Sequence, residues 1–160
     1  MSKKKLLFHG TTKDGKESIE KNGIKLNVNN GLQDFGDGFY LTPNKGIAKD
    51  RKKDHAILAY TLDTSSLKVK LYHGMTDDWK EEIFQQRIKG NDVSKGFDCV
   101  IGPMADGRMH DLVEAYRDSI ISKDDFCSGI VNEDWKRRVQ VVVKTQKGIE
   151  KLKREEEEEK

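Results

Sequence analysis

Two short segments hold most of the residues that could do chemistry. LLFHGTT (6–12) sets an imidazole, His9, beside Gly10, Thr11 and Thr12, and DFGDGFYLTP (34–43) puts three aromatics, two glycines and two aspartates into ten residues. Asp34-Phe35-Gly36 has the letters of a kinase metal loop, but no HRD-type loop precedes it and no lysine sits on a third strand under a glycine-rich loop. Gly36-Asp37-Gly38 lacks the third glycine of a dinucleotide loop, and a strand pattern follows it where that fingerprint needs a helix. HExxH, P-loop and GxSxG sequences do not occur. What remains is a turn before a strand, or the wall of a pocket. Alternation along 38–42 sets Gly38, Tyr40 and Thr42 against Phe39 and Leu41. In 138–145 it sets Gln140, with Val142 and Lys144, opposite Val139, Val141 and Val143, and in 5–9 it puts Leu7 and His9 on one face. His9, Tyr40 and Gln140 are thus either side chains brought from three strands to one pocket or unrelated surface residues, and spacing leaves both readings open.

The chain around these segments is of one-domain size, 160 residues and 18.3 kDa. Hydrophobic residues make up 34% and charged residues 36%, which predicts a modest core under a heavily solvated surface. Apolar segments still recur along most of the length, which argues against wholesale disorder. A formal net charge of +2 is too balanced to imply a nucleic-acid surface. Cys99 and Cys127 form no CxxC and have no histidine at zinc spacing, so they read as reduced thiols, with Cys99 in the core, and no metal is expected. The apolar run in MSKKKLLFHG is too short for a signal peptide or a membrane span, so the expected location is the cytoplasm, with no membrane partner.

The elements that must position the candidates follow from periodicity and caps. Strands are predicted over 5–9, GFYLT, 56–63, 67–72, 97–103 and 138–145, the last being the final strand. Asp14 and Glu17 read as the start signal of a helix that stops at Asn22-Gly23. Thr76 caps a helix with Trp79, Ile83, Phe84 and Ile88 on one face, ended by Gly90. A helix after Gly107 carries Met109, Leu112, Val113 and Tyr116, and Ser122 with Asp125 starts another. His55, His73 and His110 read as surface, whereas Tyr72, Trp79 and Tyr116 sit in core patterns. Residues 27–38 read as loop, and KLKREEEEEK as a solvated, frayed tail. Strands and helices interleave without regular βαβ spacing, which predicts an α+β fold in a single domain over 1–152, with 153–160 as tail.

LFHGTT, the helix to NGI and DFGDGFYLTP together resemble the first half of an ADP-ribosyltransferase domain of the His-Tyr type, the branch that contains diphtheria toxin and the poly(ADP-ribose) polymerases. The full order is similar to a small bacterial and phage family of uncharacterised proteins placed in that superfamily. It is carried here by LFHGTT, DFGDGFYLT, WKEEIF, FDCVIGPMADG, ISKDD and QVVVKT, over roughly residues 5 to 152. The resemblance implies two small, mainly antiparallel sheets around an NAD⁺ cleft with flanking helices. It also implies mono-ADP-ribosyl transfer from NAD⁺ to a macromolecular acceptor, protein or nucleic acid, with release of nicotinamide.

Within that resemblance, Gly10 offers backbone N–H and C=O to the carboxamide, His9 bonds a ribose hydroxyl, and Tyr40 stacks on the nicotinamide. Thr11 and Phe39 shape the pocket, and Asp34, Phe35 and Gly36 build a tight loop at its rim. Gln140 stands where the wider superfamily has a glutamate; it can hydrogen-bond a ribose hydroxyl but cannot act as a base, which argues against chain elongation. Asp106 is a second candidate carboxylate, beside Arg108, which could meet a phosphate; the other reading of Asp106 is a helix cap. Small domains of this company resemble toxins of toxin–antitoxin or phage-defence cassettes, with a small antitoxin protein as partner. The alternative function is a catalytically degenerate NAD⁺- or ADP-ribose-binding sensor, and a third is NAD⁺ hydrolysis without transfer.

Overall fold

The computed structural model describes residues 6–26, 33–49, 55–105 and 108–155. In chain order the elements are β1 (Leu7–Thr12), α1 (Lys13–Asn22), β2 (Phe39–Leu41), α2 (Lys45–Lys49), β3 (His55–Leu62), β4 (Val69–Leu71), α3 (Asp77–Phe84), β5 (Cys99–Pro103), α4 (Met109–Arg117), α5 (Lys123–Gly129), β6 (Val139–Val143), α6 (Gln146–Ile149) and β7 (Leu152–Glu155). The strands form two small sheets, ordered β1-β3-β7 and β2-β6-β5-β4, antiparallel except for the parallel pair β4–β5. The architecture is α+β.

Caps account for where the helices begin. The Thr12 hydroxyl accepts the Gly15 N–H at 3.0 Å, so Thr12 rather than Asp14 starts α1. Thr76 caps α3, and Ser122 with Asp125 forms a reciprocal capping box on α5, both as the sequence predicts. One turn of π-helix, Gln85–Lys89, extends α3 to Gly90, whose left-handed φ of 71° ends it.

The four-stranded sheet is covered on both faces. Phe39, Leu41, Val141 and Val143 join Leu7, Leu58 and Tyr60 on one side, and Val142 joins Phe35, Trp79, Ile83 and Phe126 on the other. Trp79 is fully buried and its indole N–H donates to the Pro103 carbonyl at 3.0 Å. Burial on that scale contributes roughly 2–3 kcal/mol for one large side chain. Cys99 is buried as expected, and burial pushes its thiol up to about 12. His73 and His110 are exposed.

β3 and β4, though consecutive in the chain, lie in different sheets. Two expectations change. β6 is not the final strand, because Leu152–Glu155 of the presumed tail pairs with β3 through backbone hydrogen bonds that side-chain charge does not oppose. The face of β2 and β6 that carries Tyr40 and Gln140 is not an outer face but packs against the second core, and Gln140 is buried.

Candidate functional site

Among the described residues the two sheets meet at a single bridge, where Phe8 N–H donates to Thr42 C=O at 2.8 Å and Thr42 N–H returns a bond of 2.9 Å to Phe8 C=O. Continuing that antiparallel register would set Gly10 opposite Tyr40. Instead the strands part, and the Tyr40 carbonyl lies 2.7 Å from His9 Nδ1. Successive residues of a strand turn their N–H and C=O to opposite sides. Phe8 spends its pair on β2, so the amide and carbonyl of Gly10 also turn away from β3, into the gap between the strands. Gly10 and Tyr40, on the two sides of this gap, both line a cavity of about 420 Å³.

Gly10 is bare for a packing reason as well. A Cβ there would sit 2.1 Å from the Ala48 carbonyl oxygen of α2, so any side chain would push that helix off β1. The α2 helix, which the sequence analysis missed, supplies Ile47 and Ala48 to the cavity wall, and α1 supplies Ser18 and Ile19.

His9, Gly10 and Thr11 of β1, Phe39 and Tyr40 of β2, and Gln140 of β6 all line this one cavity. The His9 ring stacks on Phe39 with centroids 4.1 Å apart. A carbonyl can only accept, so the bond to Tyr40 C=O assigns a proton to Nδ1 and places the neutral ring's lone pair on Nε2. The Tyr40 hydroxyl donates to Gly36 C=O at 2.6 Å and accepts from Phe35 N–H at 3.0 Å. Burial first, and then the negative charge of Asp34, raise its pKa well above 10.0. Tyr40 is therefore a neutral phenol anchored at its far end, offering its ring to the cavity.

Gln140 is held by its amide nitrogen, which donates to Asp34 Oδ2 at 3.0 Å and to Pro103 C=O at 3.2 Å. Both acceptors lack a hydrogen to give, so the orientation of the amide is unambiguous. Asp34 also accepts from Ala105 N–H at 3.0 Å and from Arg87 Nη2 at 2.9 Å. Asp34, Phe35 and Gly36 are buried and do not line the cavity, so they do not form its rim. Gly36 takes a left-handed φ of 81°, and a Cβ there would meet Asp92 at 2.7 Å. Lys144 clamps the outer side of the same turn, bonding Phe35 C=O at 2.5 Å, Asp37 C=O at 3.1 Å and Asp92 Oδ2 at 2.9 Å.

Arg108 stands exposed at the start of α4, away from the cavity lining. Asp106 lies outside the described residues. Met104, Lys25 and Gln33 line the cavity without having been singled out from the sequence; a lysine in a polar stretch and a methionine between Pro103 and Ala105 carry no spacing signal. Among the described residues, no group of His, Cys, Asp and Glu could hold a metal ion, and no helix is long and apolar enough to cross a membrane.

A family model described as a protein of unknown function, DUF3990, matches residues 6–154. No curated protein and no solved structure matches the chain.

Proposed function

The chain belongs to the DUF3990 family, proteins of unknown function, and we propose that it is an NAD⁺-dependent mono-ADP-ribosyltransferase whose cavity binds the nicotinamide riboside end of its substrate. The observation that carries this reading is the opening between β1 and β2. Gly10 turns one N–H and one C=O into it side by side, the Tyr40 ring and His9 flank it, and Gln140 lines the same space. A primary carboxamide needs one acceptor and one donor side by side, which a single strand-edge residue offers. A flat cationic ring suits the face of a phenol, at roughly 0.5–2 kcal/mol. A cavity of about 420 Å³ lies within the range of small-ligand sites, and the adenosine end would run out through its mouth. The two splayed sheets would then be an ADP-ribosyltransferase-like core.

The chemistry asks little covalent work of the protein. The bond between the ribose C1′ and the nicotinamide nitrogen breaks, and the electron pair leaves with the now neutral nicotinamide. An acceptor nucleophile forms the new bond to C1′ and gives up its proton. Positive charge develops on the sugar in between, so holding the ribose and ring in one pose and stabilising that charge lowers the barrier. Gly10 and Tyr40 hold the ring, His9 and Gln140 the ribose hydroxyls. Gln140 cannot take the proton, so water, a basic group on the acceptor or another side chain must receive it.

Incubation with NAD⁺ labelled in its adenosine half and a cell lysate tests the reading. We expect labelled macromolecules and stoichiometric nicotinamide, both lost in His9→Ala and Tyr40→Ala. The neutral Gln140 favours one competing reading, a sensor that binds NAD⁺ without turning it over; binding with no nicotinamide release would establish that instead. Nicotinamide release without transfer would make the protein a hydrolase.

A further inference from the structure

We propose that the partly buried Asp34–Arg87 ion pair is a positioning device that presents the carbonyl oxygen of Gln140 to the cavity as a dedicated acceptor for a ribose hydroxyl, and that the site is built for an amide at position 140 and against a carboxylate. The proposal rests on the reading of the cavity as an NAD⁺ site, and it assigns roles to two residues that need not touch the substrate.

Gln140 has three hydrogen-bonding capacities, two N–H and one C=O. Both N–H groups point at obligate acceptors, Asp34 Oδ2 at 3.0 Å and Pro103 C=O at 3.2 Å. Its remaining polar atom is Oε1, and Gln140 borders the cavity while being only 6% exposed. Asp34 is itself fixed from behind. Arg87 reaches its Oδ1 through Nη2 at 2.9 Å and Nε at 3.3 Å, and the Ala105 amide reaches Oδ2 at 3.0 Å. The guanidinium comes from the π-helical turn that extends α3, a local irregularity of the kind that re-aims a side chain.

The donors and acceptors that link Arg87, Asp34, Ala105, Gln140 and Pro103 are complementary as they stand. An ionised glutamate at 140 would set a carboxylate against the Asp34 carboxylate and the Pro103 carbonyl with no proton between them. The glutamine is therefore not a glutamate site that has decayed, since its neighbours are arranged for a donor. An asparagine at 34 fails for the converse reason. Three residues send donors to the two oxygens of Asp34, and an amide has only one oxygen to offer them.

The test separates the ribose from the ring. Nicotinamide alone needs Gly10 and Tyr40, whereas NAD⁺ also needs Gln140. Binding of each would be titrated against wild type, Asp34→Asn and Gln140→Glu near pH 8, with thermal unfolding recorded alongside. In both variants we expect NAD⁺ affinity to fall by about ten-fold or more, with nicotinamide affinity held to within about two-fold. Equal losses for both ligands would mean that Asp34 and Gln140 only hold the fold together, and unchanged NAD⁺ affinity would mean that Oε1 receives no hydroxyl; either result overturns the proposal. Should Asp34→Asn fail to fold, Gln140→Glu gives the same readings on its own. A wild-type protein that binds neither ligand defeats the NAD⁺ reading itself, and this proposal with it.

Discussion

The two walls of the cavity are built on opposite plans. The β2–β6 wall is a set of side chains locked from behind: Tyr40 by Gly36 and Phe35, Gln140 by Asp34 and Pro103, and the 34–38 turn by Arg87 and Lys144. The β1–α2 wall is mostly backbone, a strand edge that lost its partner after one bridge, with a short helix laid against a bare glycine. The first wall can fix the direction of a hydrogen bond. The second offers a donor and an acceptor whose placement depends on how far two strands have parted. Damage to the first should therefore be felt as disorientation and instability, and damage to the second as closure or filling of the gap.

Arg87→Met should have the largest effect on stability, because it leaves the buried Asp34 carboxylate without its cation. A loss of about 3 kcal/mol in chemical denaturation is expected, together with weakened NAD⁺ binding. Gly10→Ala attacks the other wall by overpacking against Ala48, at about 2 kcal/mol, and it should abolish nicotinamide binding because α2 or β1 must move. Tyr40→Phe separates anchoring from stacking. It keeps the ring but leaves the buried Phe35 N–H without its acceptor, so stability should drop by about 1–2 kcal/mol while nicotinamide affinity stays nearly constant.

The same variant has a pH signature. The folded state holds the Tyr40 proton above the ordinary value of 10.0, so its contribution is fully present below pH 10 and is lost as pH rises from there toward the raised folded pKa. Alkaline destabilisation beginning near pH 10 should be smaller in Tyr40→Phe than in wild type, with Tyr60 and Tyr72, also raised, supplying the remainder. Thr12→Ala, at the cap of α1 and outside the locked wall, should cost only about 1 kcal/mol in thermal unfolding.

The sequence was informative wherever a local rule was at work. Caps at Thr76 and Ser122, alternation in β6 and the glycine-rich turn before β2 all mark real elements, and alternation correctly separates Tyr40 and Gln140 from Phe39, Leu41 and Val141. Chemistry that depends on distant pairing was hidden. The bond from Gln140 to Asp34 joins residues 106 apart, and no pattern around either announces it. β7 was obscured because Lys153, Arg154 and Glu155 look like a charge run, although a strand needs only backbone partners. The splitting of β1 from β2, which makes the cavity, depends on where one bridge ends and cannot be read from composition.

A crystal structure with NAD⁺ bound tests the central claim most directly. We expect the carboxamide paired with the N–H and C=O of Gly10, the nicotinamide ring against Tyr40, and a ribose hydroxyl on Gln140 Oε1. A dinucleotide lodged elsewhere, or lying in this cavity with its adenine between β1 and β2, would contradict it.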